Sequence, residues 1–282
     1  MDKKCDLHTH SIFSDGTFTP SQIIDEALSL GLGAVALTDH NTIAGLDEFL
    51  SYAKGKDITA VPGIEFSTNY RGKELHILGL FVSPEHYGEI NDLVGRANER
   101  KNESNIALIK ALNEDGYELD YEAIKSSTPN GQVNRAHIAA AMLEKGYVKS
   151  IKEAFSTLLS SKGKYYRPPE RLSSLETISF IKSIGALPIL AHPFLNMDEN
   201  MLREFILEAK PYGLAGMETI YSTYTEEISC LAEKIAEEYS LIRSGGSDFH
   251  AQNKPDISLG SGKGNLSVPM SVFERMREYV ED

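Results

Sequence analysis

The sequence has few cysteines and no hydrophobic run long enough to cross a membrane. Its two cysteines, Cys5 and Cys230, are too few for a disulfide framework, and each has apolar neighbours, which predicts buried free thiols. A helix that spans a bilayer needs about 20 apolar residues, and the first residues lead into a short strand rather than a signal sequence. We therefore predict a cytoplasmic protein without a membrane partner.

Positive charge is also scarce. The 282 residues include 28 lysines and arginines against 41 acidic residues, for a net charge of −13 at pH 7. An acidic surface repels a long polyanion, which argues against duplex nucleic acid as a partner unless a local site reverses the sign. Bound metal ions could supply that reversal. Hydrophobic residues make up 41% of the chain, which is ordinary for a globular protein with a sizeable core.

Short apolar runs alternate with amphipathic stretches in both outer parts of the chain. Seven such runs predict strands over 3–8, 33–38, 58–64, 75–82, 186–191, 214–219 and 241–244. Five stretches between them predict helices over 20–30, 43–54, 173–184, 199–210 and 224–239. This alternation is typical of an α/β fold with a parallel sheet, and closure of the sheet would give a TIM-like barrel.

The middle of the chain has a different pattern. From about Pro84 to Pro169 we find helical periodicity and no convincing strand, with helices predicted over 89–114, 133–145 and 150–160. We therefore divide the chain into a first barrel part over 1–84, a small helical insertion over 85–169 and a second barrel part over 170–282. The insertion is expected to cap the substrate.

Histidines and acidic residues fall where the predicted strands end. In an extended segment residues two apart point to one face, so His8 and His10 present two imidazoles as a pincer for a metal ion. Two exposed histidines are the alternative for this pair alone. Seven more possible ligands are Asp15, in the loop after this pair, and six residues at other strand ends, the rim where barrel enzymes assemble their sites: His40, Glu65, His76, His192, Asp248 and His250. Nine such groups exceed the needs of one ion, which predicts two or three divalent ions of manganese, zinc or iron.

Together these segments resemble the motifs of the polymerase and histidinol phosphatase (PHP) family. The matching elements are His8-Thr9-His10, Ser14-Asp15-Gly16, Thr38-Asp39-His40, Pro62-Gly63-Ile64-Glu65, His76, Ala191-His192-Pro193 and Gly246-Ser247-Asp248-Phe249-His250. The resemblance implies a distorted seven-stranded β/α barrel with a metal cluster at its rim. It implies three metal sites: one at His8, His10, Glu65 and Asp248, a second at Glu65, His76 and His192, and a third at Asp15, His40 and His250. Many family members have histidine where this chain has Asp15.

A further resemblance lies within the predicted insertion. The segment Asn134-Arg135-Ala136-His137-Ile138-Ala139 is similar to the Arg-Pro-His-Ile-Ala element of a branch with nucleoside 3′,5′-bisphosphate phosphatases and related 5′-to-3′ exonucleases. Ala136 stands where that branch usually has proline. The planar guanidinium of Arg135 matches phosphate oxygens, which predicts a phosphate clamp with His137 beside it. The alternative is a surface arginine and a histidine packed between helices. Residues 164–167 are either a cationic, stacking edge for a base or a solvated linker.

The predicted function is hydrolysis of a phosphomonoester of a small nucleotide, either a 3′,5′-bisphosphate or a short 5′-phosphorylated oligonucleotide. The nine ligand residues would act through bound metals that share a hydroxide as nucleophile. A metal-bound water or His137 would protonate the leaving group, and activity should fall below about pH 6 as the histidine ligands protonate. Histidinol phosphate, a phosphorylated sugar or protein phosphotyrosine are alternative substrates. A metal-binding regulatory barrel without catalysis is the alternative of another class.

Overall fold

The computed structural model describes residues 3–128 and 133–281, so the outer limits of the predicted barrel parts, residues 1 and 282, lie outside it. Within these ranges the chain forms nine strands: β1 (Lys4–Asp6), β2 (Ala34–Leu37), β3 (Thr59–Tyr70), β4 (Lys73–Leu80), β5 (Leu172–Ser173), β6 (Leu187–Leu190), β7 (Gly216–Tyr221), β8 (Ile242–Gly246) and β9 (Val268–Pro269). The same ranges contain ten α-helices: α1 (Pro20–Ser29), α2 (Leu46–Ala53), α3 (Tyr87–Glu114), α4 (Tyr121–Ser126), α5 (Arg135–Glu144), α6 (Ile151–Ser156), α7 (Ser174–Ser183), α8 (Glu199–Ala209), α9 (Glu226–Glu238) and α10 (Met270–Glu281).

The strands form a nearly closed barrel. The sheet has the order β8-β7-β6-β4-β3-β2-β1-β9, and β5 adds to β3. Its two sides meet where Leu7 N donates to Gly245 O over 3.2 Å and Asp248 N donates to His8 O over 2.9 Å. The predicted α/β barrel class is confirmed, and its seven strands correspond to the seven longer ones here. The two-residue strands β5 and β9 are additional.

One of the seven predicted strands runs against the predicted parallel direction. β4 pairs antiparallel with both β3 and β6, so the prediction of a parallel sheet is wrong at this strand, and the additional strand β9 is also antiparallel to β1. The cause is the two-residue turn of Arg71 and Gly72, whose φ angles of 49° and 81° make a tight hairpin and leave no room for a crossover helix. Because β4 is reversed, its beginning lies at the rim, and His76 pairs with Ser67 of β3.

The helices around the barrel begin and pack as their sequences indicate. In α1 the Thr19 hydroxyl accepts from Gln22 N over 3.2 Å, and Gln22 Oε1 accepts from Thr19 N over 2.8 Å, which closes the predicted capping box. Among the described residues, we find no helix with the length and the apolar character that a bilayer crossing requires. Cys5 is buried as predicted, but Cys230 is exposed, because α9 turns it away from its buried neighbour Ala232.

The segment between β4 and β5 forms helices α3 to α6 with a hydrophobic cluster of its own. That cluster includes Leu108 and Leu112 of α3 together with Ile138 and Met142 of α5. The first half of α3 packs instead into the barrel core through residues 90 and 94. Since α3 contributes to both cores, the division at residues 84 and 169 stays a prediction, and residues 129–132 of the insertion lie outside the description.

Candidate metal centre and substrate pocket

The nine predicted ligand residues converge at one end of the barrel. Their ligating atoms form three groups that could each hold an ion: His8 with His10 and Glu65; His40 with Glu65 and His76; and His10 with Asp15, His40 and His250. Glu65 belongs to two of these groups, as the resemblance implies. The other two residues adjoin them, because Asp248 Oδ1 lies 3.2 Å from His10 Nε2 and His192 Nε2 lies 3.0 Å from Glu65 Oε1.

The surroundings of the Glu65 Oε2 atom indicate that these side chains could bind divalent cations. This oxygen lies 3.2 Å from Nε2 of both His8 and His10 and 3.0 Å from Nδ1 of His40. Despite these distances, Oε2 and His40 Nδ1 are both buried without a hydrogen-bond partner in the described part of the chain. A buried polar atom without a partner costs about 1–3 kcal/mol, and a cation among these atoms would satisfy them. Nitrogen and oxygen donors in such a set suit zinc, manganese or iron.

Glu218 of β7 stands behind two of the possible ligands. Its Oε1 lies 3.0 Å from His8 Nδ1, and its Oε2 accepts from the His192 backbone N over 2.6 Å. The first contact turns His8 Nε2 toward the cluster, and a carboxylate on the far nitrogen is the usual way to orient a metal-binding histidine. The sequence signal for Glu218 is its place at the end of the predicted strand 214–219.

The loops that carry the ligands adopt conformations that side chains rarely accept. Asn41, His192 and Asp248 have positive φ angles of 49°, 28° and 56°. Such residues cost of order 1 kcal/mol or more, and they persist where the surrounding structure restrains them. One restraint is the buried carboxylate of Asp6, which accepts from Ser247 N and from Gly260 N, each over 2.8 Å. It ties the end of β1 to the loop after β8.

Charge within the cluster favours the protonated forms of His8, His10 and His76 in the absence of cations. Burial alone would lower the pKa of His8, but Glu65 and Glu218 together outweigh it and raise this pKa well above the usual range. Against the same burial, Asp248 and Glu65 raise the pKa of His10 to about 9, and Glu65 raises the pKa of His76 to about 10. A cation would therefore have to displace protons from these rings.

The carboxylates respond in the opposite sense. Burial opposes their ionisation, but the neighbouring histidines, above all His40, hold the pKa of Glu65 well below its usual range. Asp15 is likewise shifted down despite its burial, mainly by His250. In Asp248 the pKa is lowered first by Lys254, again against burial. All three carboxylates are therefore ionised and available as ligands at neutral pH.

A cavity of about 230 Å³ opens beside the cluster. Asp15, His40 and His76 of the cluster line it, together with the cations Lys101, Arg135 and Arg171. Burial lowers the pKa of Lys101 to about 8 against the influence of Asp15. Sequence analysis missed two of these cations. Lys101 could have been found, because it follows Asn98 and precedes Asn105 at helical spacing on the inward face of α3.

Aromatic rings hold Arg135 in place. Its guanidinium lies 4.2 Å from the centre of the Tyr166 ring and 5.4 Å from that of Phe155, and it donates to Leu159 O over 3.3 Å. Tyr166 is buried. Of residues 164–167, for which a stacking edge for a base and a solvated linker were the alternatives, Tyr166 packs against the arginine, while the Tyr165 hydroxyl donates to Asp115 over 2.6 Å.

His137 lies on the other side of the first turn of α5. It lines a separate cavity of about 770 Å³, whereas Ala136 lines both cavities. Its Nδ1 accepts from Asn134 N over 3.3 Å, and burial lowers its pKa. Among the described residues that line the cavity beside the cluster, the structure thus places Arg135 but not His137.

Known proteins resemble this chain over most of its length. The 5′-3′ exoribonuclease of Haemophilus influenzae is 32% identical over 251 residues, which cover 89% of this chain and 91% of that protein. The phosphoribosyl 1,2-cyclic phosphate 1,2-diphosphodiesterase of Eggerthella lenta is 30% identical over 88% of this chain and 94% of its own length. The 3′,5′-nucleoside bisphosphate phosphatase of Chromobacterium violaceum is 26% identical over 90% of both chains.

A solved structure has the same fold. It belongs to a Bifidobacterium adolescentis protein assigned as a metal-dependent phosphoesterase, with a TM-score of 0.85 and 25% identity over 97% of this chain and 95% of that one. The family model of the PHP domain matches residues 6–166, more than half of the sequence. These matches agree with the barrel and with its cluster of histidines and acids. The chain therefore belongs to the PHP domain family and is a metal-dependent phosphoesterase.

Proposed function

We propose that the chain hydrolyses one phosphate monoester of a nucleoside 3′,5′-bisphosphate. The observation that carries the proposal is the distribution of charge around the cavity: Lys101, Arg135 and Arg171 line it together with residues of the histidine and carboxylate cluster. A substrate with two phosphates can place one at the cluster and the other against these cations. Arginine binds phosphate through two parallel hydrogen bonds, which gives the site both strength and orientation.

The nine clustered residues would hold two or three divalent ions, for which manganese, zinc and iron are the candidates. When bound, such ions supply an activated water and neutralise charge on the phosphoryl oxygens. Glu65 would join two sites, and Glu218 would orient His8. Arg135, restrained by Tyr166, would fix the substrate. Lys101 Nζ is a better placed proton donor for the leaving oxygen than His137, because it lines the cavity of the cluster.

Two alternatives differ in how they use the cations. The exoribonuclease name of the Haemophilus influenzae relative favours short 5′-phosphorylated RNA as a second candidate substrate. The phosphodiester that follows the 5′-phosphate of such an RNA would contact the same cations, so the site could accommodate both the bisphosphate and the RNA. Histidinol phosphate has a single phosphate and would offer no second anionic group to Lys101 and Arg135, whereas Arg171 already pairs with Glu74. The acidic chain, at −13, is also expected to reject long duplex DNA.

The test compares substrates under one condition. The protein loaded with Mn²⁺ is given adenosine 3′,5′-bisphosphate, a short 5′-phosphorylated RNA, a ribose cyclic phosphate and histidinol phosphate, and kcat/KM is measured for each. We expect the highest value for the bisphosphate, and product analysis shows which phosphate leaves. Equal or faster hydrolysis of histidinol phosphate would contradict the proposal.

A further inference from the structure

The two nitrogens of His76 face two different carboxylates. Nδ1 lies 2.8 Å from Glu65 Oε1, inside the cluster, whereas Nε2 lies 3.4 Å from Glu74 Oε1, outside it. Both residues project to the same face because Glu74 precedes His76 by two positions on β4. His76 therefore offers one nitrogen to the cluster while the other is held from behind.

Glu74 is itself held on its far side. Its Oε2 lies 2.7 Å from a terminal nitrogen of Arg171, whose side chain is only 14% exposed. A carboxylate between two partners, one at each oxygen, has little freedom to rotate. The four residues form a continuous chain of contacts from Glu65 through His76 and Glu74 to Arg171, and its last three members line the cavity.

We propose that Glu74 is a positioning residue that orients the His76 imidazole for a metal ion and that Arg171 fixes Glu74 in turn. The proposal rests on the metal cluster proposed above. A carboxylate bonded to the far nitrogen sets the tautomer, keeps the ligating nitrogen free of a proton and makes it a stronger donor to the metal. Arg171 thus serves the cluster as well as the substrate.

The experiment uses the full chain, freed of metal by a chelator and titrated with Zn²⁺ alone. Glu74→Ala is expected to weaken one Zn²⁺ site by about 10- to 100-fold, the range typical of such outer partners. Glu74→Gln keeps the shape and a neutral acceptor, so its loss should be a few-fold and lie between wild type and alanine. The matched control is Glu170→Gln, since Glu170 lines the same cavity but pairs with Arg100 at 2.8 Å.

A second readout separates positioning from general stability. With ¹⁵N-labelled histidine and bound Zn²⁺, wild type should give a slowly exchanging Nε2–H signal for His76, and Glu74→Ala should lose it while the other ring signals stay. His76→Ala serves as the reference for loss of the site. If Glu74→Ala fails to fold, the Zn²⁺ affinity and the Nε2–H signal of Glu74→Gln test the proposal.

Three outcomes overturn a claim. The folded Glu74 variants could bind Zn²⁺ as tightly as wild type while His76→Ala loses one site. That result would refute the role of Glu74 but would still support the metal cluster. Wild-type Zn²⁺ binding in His76→Ala would refute the proposed metal site itself. Equal weakening by Glu170→Gln would show that the negative charge of the cavity, rather than the contact with His76, holds the ion.

Discussion

Tyr221 donates its phenolic hydrogen to Asp248 Oδ2 over 2.7 Å, and the other oxygen of Asp248 faces His10 Nε2 at 3.2 Å. The ammonium of Lys254 lies 2.6 Å from the same Oδ2. One oxygen of this carboxylate is therefore occupied by the protein, and the other is turned toward the cluster. Two residues outside the predicted ligand set thus restrain the orientation of a predicted ligand.

Tyr221→Phe should weaken metal binding by about 10-fold, because the ring remains but Asp248 loses the donor that restrains its rotation. Activity should then recover when Mn²⁺ is added in excess. Tyr279→Phe, at an exposed tyrosine of α10, is the control and should behave as wild type. Metal content after dialysis against a weak chelator measures the effect. A Tyr221→Phe protein that retains its metal as well as wild type would contradict the assignment.

Arg135→Ala should lower kcat/KM for adenosine 3′,5′-bisphosphate by about 10- to 100-fold, since a hydrogen bond to a charged group is worth about 1.5–3 kcal/mol. Hydrolysis of an aryl phosphate such as p-nitrophenyl phosphate should change little, because it lacks the second phosphate. Arg96→Ala, an exposed position on α3, is the matched control. If Arg135→Ala treated both substrates as wild type does, the proposed phosphate clamp would be wrong.

Metal affinity should rise with pH up to about 10. In the chain without cations His10 and His76 have pKa values of about 9 and 10, raised by the carboxylates from 6.5. Their protonation stabilises the cation-free fold fully below pH 6.5, and this contribution is lost as the pH rises through 9 to 10. Cations compete with the same protons, so binding should release protons.

Calorimetric titrations with Zn²⁺ in buffers of different ionisation enthalpy measure this proton release. At limiting Mn²⁺, activity should decline as the pH falls, with little left below about pH 6, and excess Mn²⁺ should move the profile to lower pH. An affinity that does not change between pH 6.5 and 9, or a flat rate from pH 5 to 8, would contradict the histidine ligands.

Gly246→Ala should destabilise the fold by about 1–3 kcal/mol, the usual cost of an extra group in a packed site. A Cβ at this position would lie 2.5 Å from the Cβ of His8 and 2.6 Å from its backbone nitrogen, and the segment that carries His8 is held there by the bond from Asp248 N to His8 O. Thermal unfolding measures the effect, and metal binding should weaken with it. At Gly95, inside α3, a Cβ meets nothing within 4 Å, so Gly95→Ala should stabilise by about 0.5–1 kcal/mol. A Gly246→Ala protein as stable as wild type would show that the packing at His8 is looser than the distances indicate.

Local sequence patterns were enough to predict the positions of the seven longer strands and of most candidate ligands. His8 and His10 lie two apart in an extended segment, and His40 and His192 follow short apolar runs, so both position and chemistry could be predicted from neighbouring residues. The direction of β4 could not, because the pattern of apolar residues is the same for either direction. The decisive signal was the Arg71-Gly72 turn, which also accounts for His76 at the start of a strand.

Residues that reach the site through tertiary packing were harder to predict. Arg171 acts on Glu74 from a distant part of the chain, and Lys254 reaches Asp248 across an irregular loop of six positions, so no regular spacing distinguishes either from other cations. Tyr221 is a buried tyrosine at the end of β7, where core packing explains it equally well. His137 shows the reverse case, since it adjoins Arg135 in sequence but the turn of α5 directs it to another cavity.

The reversed strand β4 also determines how the helical segment reaches the substrate. The chain leaves β4 at the base of the barrel, where Val82 N bonds to Pro62 O, and α3 then climbs past the rim, where Asn98 bonds to the backbone of Asn41. Its 28 residues span about 42 Å. Because residues of α3 line the cavity, its width depends on a long helix that is fixed at the base of the barrel, and a larger substrate could enter only if α3 bent.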